Sequence, residues 1–133
     1  LIVDIDHFKD VNDSYGHLGG DKALREVAAR LCTCVGTQGD VCRWGGEEFA
    51  ILLPRWQGAA ELGSAICTAV HARPVNVGSC EASVTVSVGV FAVQHPDHLR
   101  IDRFVHRTDA CLYRAKAAGR DRAETDVCPG TEM

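Results

Sequence analysis

The chain has 133 residues, 46% hydrophobic and 24% charged, the size and balance of one globular domain with enough core to fold without cross-links. A formal charge of −4 and the lack of any Lys/Arg run argue against a nucleic-acid surface, and no apolar stretch approaches the roughly 20 residues of a membrane span. The seven cysteines form no CxxC pair and read as small core hydrophobes of a reducing, cytoplasmic setting.

In chain order, the sequence opens LIVDID without Met, and only three apolar residues precede the first acid, where a strand usually runs to about five or six. It reads as starting inside a strand, as a piece of something longer would. The polar stretch DHFKDVNDSYGHLGGD follows and ends in glycines that a helix entry tolerates. Leu24, Val27, Ala28, Leu31 and Val35 then repeat at the spacing of one helical face, predicting a helix over about 20–35.

VCRW and EEFAILLP are two strand-like runs around Gly45 and Gly46, the pattern of a tight hairpin. Leu62, Ala65, Ile66, Ala69 and Val70 mark a second helix closed by Pro74. Residues 82–90 alternate, with Val84, Val86, Val88 and Val90 on one face of a strand and Ser83, Thr85 and Ser87 on the other. PVNV and the bend at Gly78 supply a hairpin partner before it. Ile101, Phe104, Val105, Thr108, Leu112 and Ala115 outline a third helix stopped by Gly119, and a polar, frayed tail is expected from 121. This order predicts an α+β fold, a mainly antiparallel sheet covered by helices in a split βαβ arrangement.

Chemistry concentrates at two places. Asp4 and Asp6 stand where the first strand leaves the sheet, and residues two apart on a strand point the same way. Glu47 and Glu48 follow the hairpin glycines and reach the same edge if the hairpin lies beside the first strand. Three or four converging carboxylates repel unless a positive charge sits among them, and hard oxygen ligands select Mg²⁺ or Mn²⁺. Such an ion takes its other ligands from water and phosphates, which points to phosphoryl or nucleotidyl transfer. Taken singly, each feature is also an ordinary solvated turn or loop acid.

DIDHFKDVNDSYGHLGGD, RWGGEEFAILL, VTVSVGV and DACLYRAKAAGRDR, in this order and spacing, resemble the successive signatures of the GGDEF domain, the diguanylate cyclase family. The likeness covers residues 1–122, leaving 123–133 as a flexible C-terminal tail, and the family's N-terminal helix and the start of its first strand are not in this sequence. It implies a palm-like, nucleotidyl-cyclase-like fold and the condensation of two GTP into cyclic di-GMP and pyrophosphate across a homodimer. Two Mg²⁺ or Mn²⁺ ions per active site are implied, held by Asp4, Glu47 and the carbonyl of Ile5. The implied catalytic set is Asp4, Glu47, Glu48 and Lys9, with Glu47 helping to deprotonate the ribose 3′-hydroxyl and Asp6 in support. Phe8 and Lys9 would offer backbone amides and an ammonium to the triphosphate, with Lys116 and Arg120 reaching it from the last helix. Asn12 and Asp21 match the family's guanine readers, which favours GTP over ATP.

The resemblance has one departure. Members with product feedback carry RxxD ahead of the GG motif, and the matching positions are Gly36 and Gly39, with Asp40 one place off, so no inhibitory product site is expected. The implied partners are GTP, a second copy of the domain and an upstream sensory domain of a parent protein that a membrane could anchor elsewhere. No nucleic acid and no direct membrane contact are expected. His7 and His17 belong to the family motif, while His71, His95, His98 and His106 read as loop or surface residues, and Trp44 and Tyr113 as packing residues. Two competing readings stand beside the cyclase: an inactive module that binds GTP or a protein partner, and another nucleotidyl cyclase or polymerase-like enzyme.

Overall fold

Strand β1 (Ile2–Ile5) has all four residues buried, which demands neighbours on both edges and cover on both faces. The computed structural model, which describes residues 1–96 and 99–130, supplies both. On one edge β1 pairs antiparallel with β3 (Glu48–Leu52), which pairs in turn with β2 (Asp40–Gly45). On the other it pairs antiparallel with β6 (Val86–Val93), and β7 (Arg122–Cys128) lies parallel outside that. The sheet order is thus β2-β3-β1-β6-β7, and β4 (Val75–Asn76) with β5 (Glu81–Ala82) forms a separate ribbon. This is the mainly antiparallel, palm-like α+β arrangement expected from the sequence.

The helices α1 (Phe8–Val35) and α2 (Ala59–His71) pack together, and their Val27, Leu31, Ile66 and Val70 share one core with Val3, Ile5, Phe49, Ile51, Val86, Val88 and Val90. Helix α3 (Ile101–Ala117) covers the opposite face through Cys111, Leu112 and Ala115. Its backbone comes close because β6 carries Gly89, where a Cβ would stand 2.4 Å from the Leu112 nitrogen and 2.5 Å from the Thr108 oxygen. That approach brings the C-terminal turn of α3 to the end of β1.

Three elements differ from the sequence reading. The polar stretch expected ahead of the first helix is itself helical from Phe8, with a break at Gly16 (φ 74, ψ 173). Only Phe8 and Val11 of that turn meet the core, so its apolar stripe is too thin to read and tertiary docking holds it. Gly19 and Gly20 act by close approach, since a Cβ on Gly20 would fall 1.9 Å from Asn12 Oδ1. The valine strand begins at Val86 and runs on through Phe91 and Ala92, because the chain up to Ala82 is engaged in the β4–β5 ribbon. Residues 122–128 of the expected flexible tail form β7, where half-buried Ala123 and Thr125 close the free edge of β6.

Two aromatic residues also depart from expectation. Trp44 is 51% exposed beside the bulge of the edge strand β2, and Tyr113 is 73% exposed on the outer side of α3. His98 lies outside the described residues.

Arg30 is the buried cation that ties α1 to the end of α2. Its Nη1 donates to the carbonyls of Val70 (3.0 Å) and Arg73 (2.7 Å), and its Nη2 to Pro74 O (2.7 Å) and Glu26 Oε1 (2.9 Å). The guanidinium therefore satisfies carbonyls that a helix end leaves orphaned. Arg30→Met is expected to destabilise the fold by about 3 kcal/mol, because it strands buried acceptors. Urea unfolding checks this, and an unshifted midpoint would show that water replaces the clip.

Candidate active site

The pleat of β1 sends Val3 and Ile5 into the α1/α2 core and Asp4 to the α3 side. Asp4 is 5% exposed and stands in register with Glu48 on β3 and Ser87 on β6. A carboxylate so placed needs compensation. It comes from α3, whose Lys116 Nζ lies 2.6 Å from Asp4 Oδ2. Burial pushes the Asp4 carboxyl above its ordinary range, the Lys116 bond and charge pull against this, and the charges of Glu47 and Asp6 push the same way as burial.

The hairpin brings the second carboxylate pair. Gly46, with φ 49, and Glu47 form the two-residue turn, so Glu48 is the first residue of β3. The turn is tied to β1 by the Ile5 amide, which donates to the Glu47 carbonyl at 3.3 Å. Burial also raises the Glu48 carboxyl, with the Asp4 charge next in weight. Asp6, by contrast, is engaged in hydrogen bonds at both oxygens. Its Oδ1 accepts from Ser87 Oγ (2.6 Å), and its Oδ2 from Thr85 Oγ1 (2.7 Å) and the Asp121 amide (3.0 Å).

The structure thus gathers Asp4, Asp6, Glu47, Glu48 and Lys116 at one rim, with the first turn of α1 leaving the same strand. That turn contains Phe8 and Lys9, follows His7 in the left-handed region (φ 53) and has no side-chain cap. Asn12 sits against Gly20, next in sequence to the exposed Asp21, so these two lie further along α1. Arg120 is exposed in the turn after α3, with φ 63.

One expectation is met differently. Among the described residues no group of three or more His, Cys, Asp or Glu side chains is arranged to hold an ion, and the positive charge amid the carboxylates is the Lys116 ammonium. The donor set is nevertheless all oxygen, and besides the burial that chiefly raises Asp4 and Glu48, the charges of the neighbouring carboxylates push the same way. Those features fit a hard divalent cation.

Sequence reasoning missed Thr85, Ser87 and Asp121, which hold Asp6. Thr85 and Ser87 lie on the strand face opposite the valines, as the alternation predicts, and Ser87 is fully buried there. Its spacing of one residue from the core valines, opposite Asp4, was the available signal.

A palm-like sheet with acidic residues from two adjacent strands at one rim defines a nucleotide-handling class of domain. Comparison with known proteins narrows it. A family model described as "Diguanylate cyclase, GGDEF domain" matches residues 1–122. The chain is 41% identical over 122 residues to the diguanylate cyclase DgcM of Escherichia coli, covering 92% of this chain and 29% of that protein. It is 38% identical over 125 residues to the diguanylate cyclase DgcP of Pseudomonas aeruginosa, covering 92% of this chain and 18% of that one. Among solved structures, the diguanylate cyclase SiaD of Pseudomonas aeruginosa in complex with its activator SiaC superposes with a TM-score of 0.81 at 38% identity, over 96% of this chain and 48% of that one. The coiled coil and GGDEF domain of DgcB from Caulobacter crescentus, in complex with c-di-GMP, gives a TM-score of 0.83 at 30% identity, over 94% of this chain and 67% of that one. The chain belongs to the diguanylate cyclase GGDEF-domain family. It spans only 29% and 18% of the two curated relatives.

The charge balance of the rim predicts a stability signature. A carboxyl raised in the folded state contributes stability at low pH that is lost as pH rises through its folded value, so ionised Glu48 costs stability at neutrality. Glu48→Gln is therefore expected to raise the melting temperature at pH 7, with the gain closing below the ordinary carboxylate range. A pH series of thermal melts checks this, and a gain independent of pH would contradict it.

Proposed function

We propose that this chain is a diguanylate cyclase domain that condenses two GTP into cyclic di-GMP and pyrophosphate across a homodimer. The observation that carries the reading is the rim itself: buried Asp4 in register with Glu48, with the Glu47 turn bonded to Ile5 and the Lys116 ammonium alongside.

Asp4, Glu47 and the Ile5 carbonyl would hold the divalent ions, Mg²⁺ or Mn²⁺ and two per site, which when bound activate the attacking oxygen and stabilise charge at the α-phosphate and leaving group. The chain's own groups do the rest. Glu47, in a solvent-reachable turn, takes the proton of the ribose 3′-hydroxyl, and Glu48 behind it keeps the rim negative. Lys116 turns from Asp4 to the triphosphate, joined by Arg120 and by the Lys9 ammonium. The uncapped first turn of α1 offers the Phe8 and Lys9 amides to phosphate oxygens, where a helix N-terminus favours negative charge. Asn12 and Asp21 read the guanine edge, an acceptor-rich pair suited to its N1 and N2 hydrogens. The backbone glycines of α1 support this, since only Gly20 leaves room for Asn12 there.

Because each site holds one GTP, two copies must face each other, and an upstream sensory domain in a longer parent protein is the natural means of bringing them together. Among the described residues no helix is long and apolar enough to cross a membrane. The family match ends at residue 122, where β7 begins, and β7 adds the last strand of the same sheet.

The test is to join two chains through an added leucine zipper, incubate them with Mg²⁺ and GTP or ATP, and identify products chromatographically. Cyclic di-GMP from GTP is expected, falling by about 10²-fold or more in Glu47→Ala, the scale of removing one group that stabilises the transition state. GTP binding without turnover would favour the inactive-module reading, and a cyclic mononucleotide would favour another cyclase.

Product feedback at the RxxD position is not part of the proposal. Gly36 takes φ 56, and a Cβ on Gly39 would lie 2.2 Å from the Leu52 oxygen, so this backbone suits glycine at both places. Calorimetry should show no saturable binding of cyclic di-GMP that changes around 36–39 abolish; such binding would contradict the assignment.

A further inference from the structure

The turn that links α3 to β7 carries Arg120 and Asp121, two consecutive non-glycine residues in the left-handed region (φ 63 and φ 49). Residues other than glycine stay there only when their surroundings hold them. Three of the contacts are local or come from Asp6, just past the end of β1. The Arg120 amide donates to Ala115 O (3.0 Å), the Arg122 Nε donates to Arg120 O (3.0 Å), and the Asp121 amide donates to Asp6 Oδ2 (3.0 Å). The fourth reaches across from another helix: His71, the last residue of α2, places Nδ1 2.6 Å from Asp121 Oδ2. This contact stands at an open cleft of about 280 Å³ lined by Cys67, Thr68, His71, Ala72 and Asp121.

Asp121 is therefore a junction. Its carboxylate is held by α2 while its amide holds the buried Asp6 at the rim, and the residue before it is the phosphate-reaching Arg120. Both ends of the latch are fixed independently of the nucleotide. The carbonyls of Val70 and Arg73 on either side of His71 are clipped by buried Arg30, and Asp6 is bonded to Ser87 and Thr85.

We propose that His71 is a positioning residue for the nucleotide site, latching the Arg120–Asp121 turn so that Arg120 meets the GTP phosphates and Asp6 keeps its third hydrogen bond. The role rests on the cyclase reading of the rim. It is not core packing, because the His71 side chain is 64% exposed and its loss opens no cavity. A surface contact of this kind acts by ordering a loop, which lowers the entropy that the ligand must otherwise supply.

The experiment uses the whole chain with Mg²⁺ and a fluorescent, non-hydrolysable GTP analogue, alongside amide hydrogen exchange over residues 118–122. His71→Ala is expected to speed exchange in that segment and to weaken analogue binding about fivefold, the scale of one hydrogen bond, with little change in melting temperature. His71→Asn, whose side-chain amide nitrogen falls near the position of Nδ1, should restore both. In an Arg120→Ala background, His71→Ala should weaken binding no further, since the latch acts through that arginine. Unchanged binding in His71→Ala, or an equal further loss without Arg120, overturns the positioning role alone. A wild-type chain that binds no analogue at all overturns the cyclase reading, and the role with it.

Discussion

A carboxylate on the central strand of a sheet, 5% exposed, is the constraint around which the rest of this molecule is arranged. Asp4 cannot reach bulk water, so its charge has to be answered from within, and burial of an unpaired charge would cost several kcal/mol. The answer comes from Lys116, more than a hundred residues away in sequence, on a helix that must dock closely to deliver it. Gly89 makes the docking possible by removing the side chain that would strike the α3 backbone. A glycine in the middle of a buried strand, ordinarily a weakening choice, is here the condition for placing a lysine.

The same constraint sorts the four acidic residues into two kinds. Asp6 has its oxygens filled by Ser87, Thr85 and the Asp121 amide, and so serves as a post to which the turn after α3 is tied. Asp4 has a single cationic partner on a half-exposed, flexible stem, while Glu47 and Glu48 border it with little compensation. Saturated groups build; unsaturated ones remain free to bind. The rim carries a standing electrostatic cost in the fold, which a cationic ligand relieves, and sites that bind ions commonly trade stability in this way.

Much of this arrangement was legible in the residues. The GG turn between two apolar runs gave the hairpin, and the alternation of β1 placed Asp4 and Asp6 on a common face, because short-range periodicity is decided by backbone geometry alone. The third helix was equally plain from Phe104, Thr108, Leu112 and Ala115 at helical spacing. The first half of α1 was hidden because only Phe8 and Val11 enter the core, so nothing in the stretch repeats with helical period. Strand β7 was hidden for a related reason: an edge strand buried on one side by Ala123 and Thr125 has a sequence as polar as a tail. The alternation put Ser87 on the correct face, but its bond to the buried Asp6 was not legible. Long-range polar pairing leaves no periodic trace in a sequence.

The proposed function requires Asp4 and Glu47 to share one cation once a guanosine triphosphate is bound, with Lys116 released from Asp4 to the phosphates. A crystal of the chain grown with Mn²⁺ and a non-hydrolysable GTP analogue, with the ion located by anomalous scattering, tests that most directly. A manganese peak within about 2 Å of a carboxylate oxygen of each residue is the expected result, the contact distance of a small hard cation on oxygen. Bound nucleotide with Asp4 still closed on Lys116, and manganese elsewhere or absent, would contradict it.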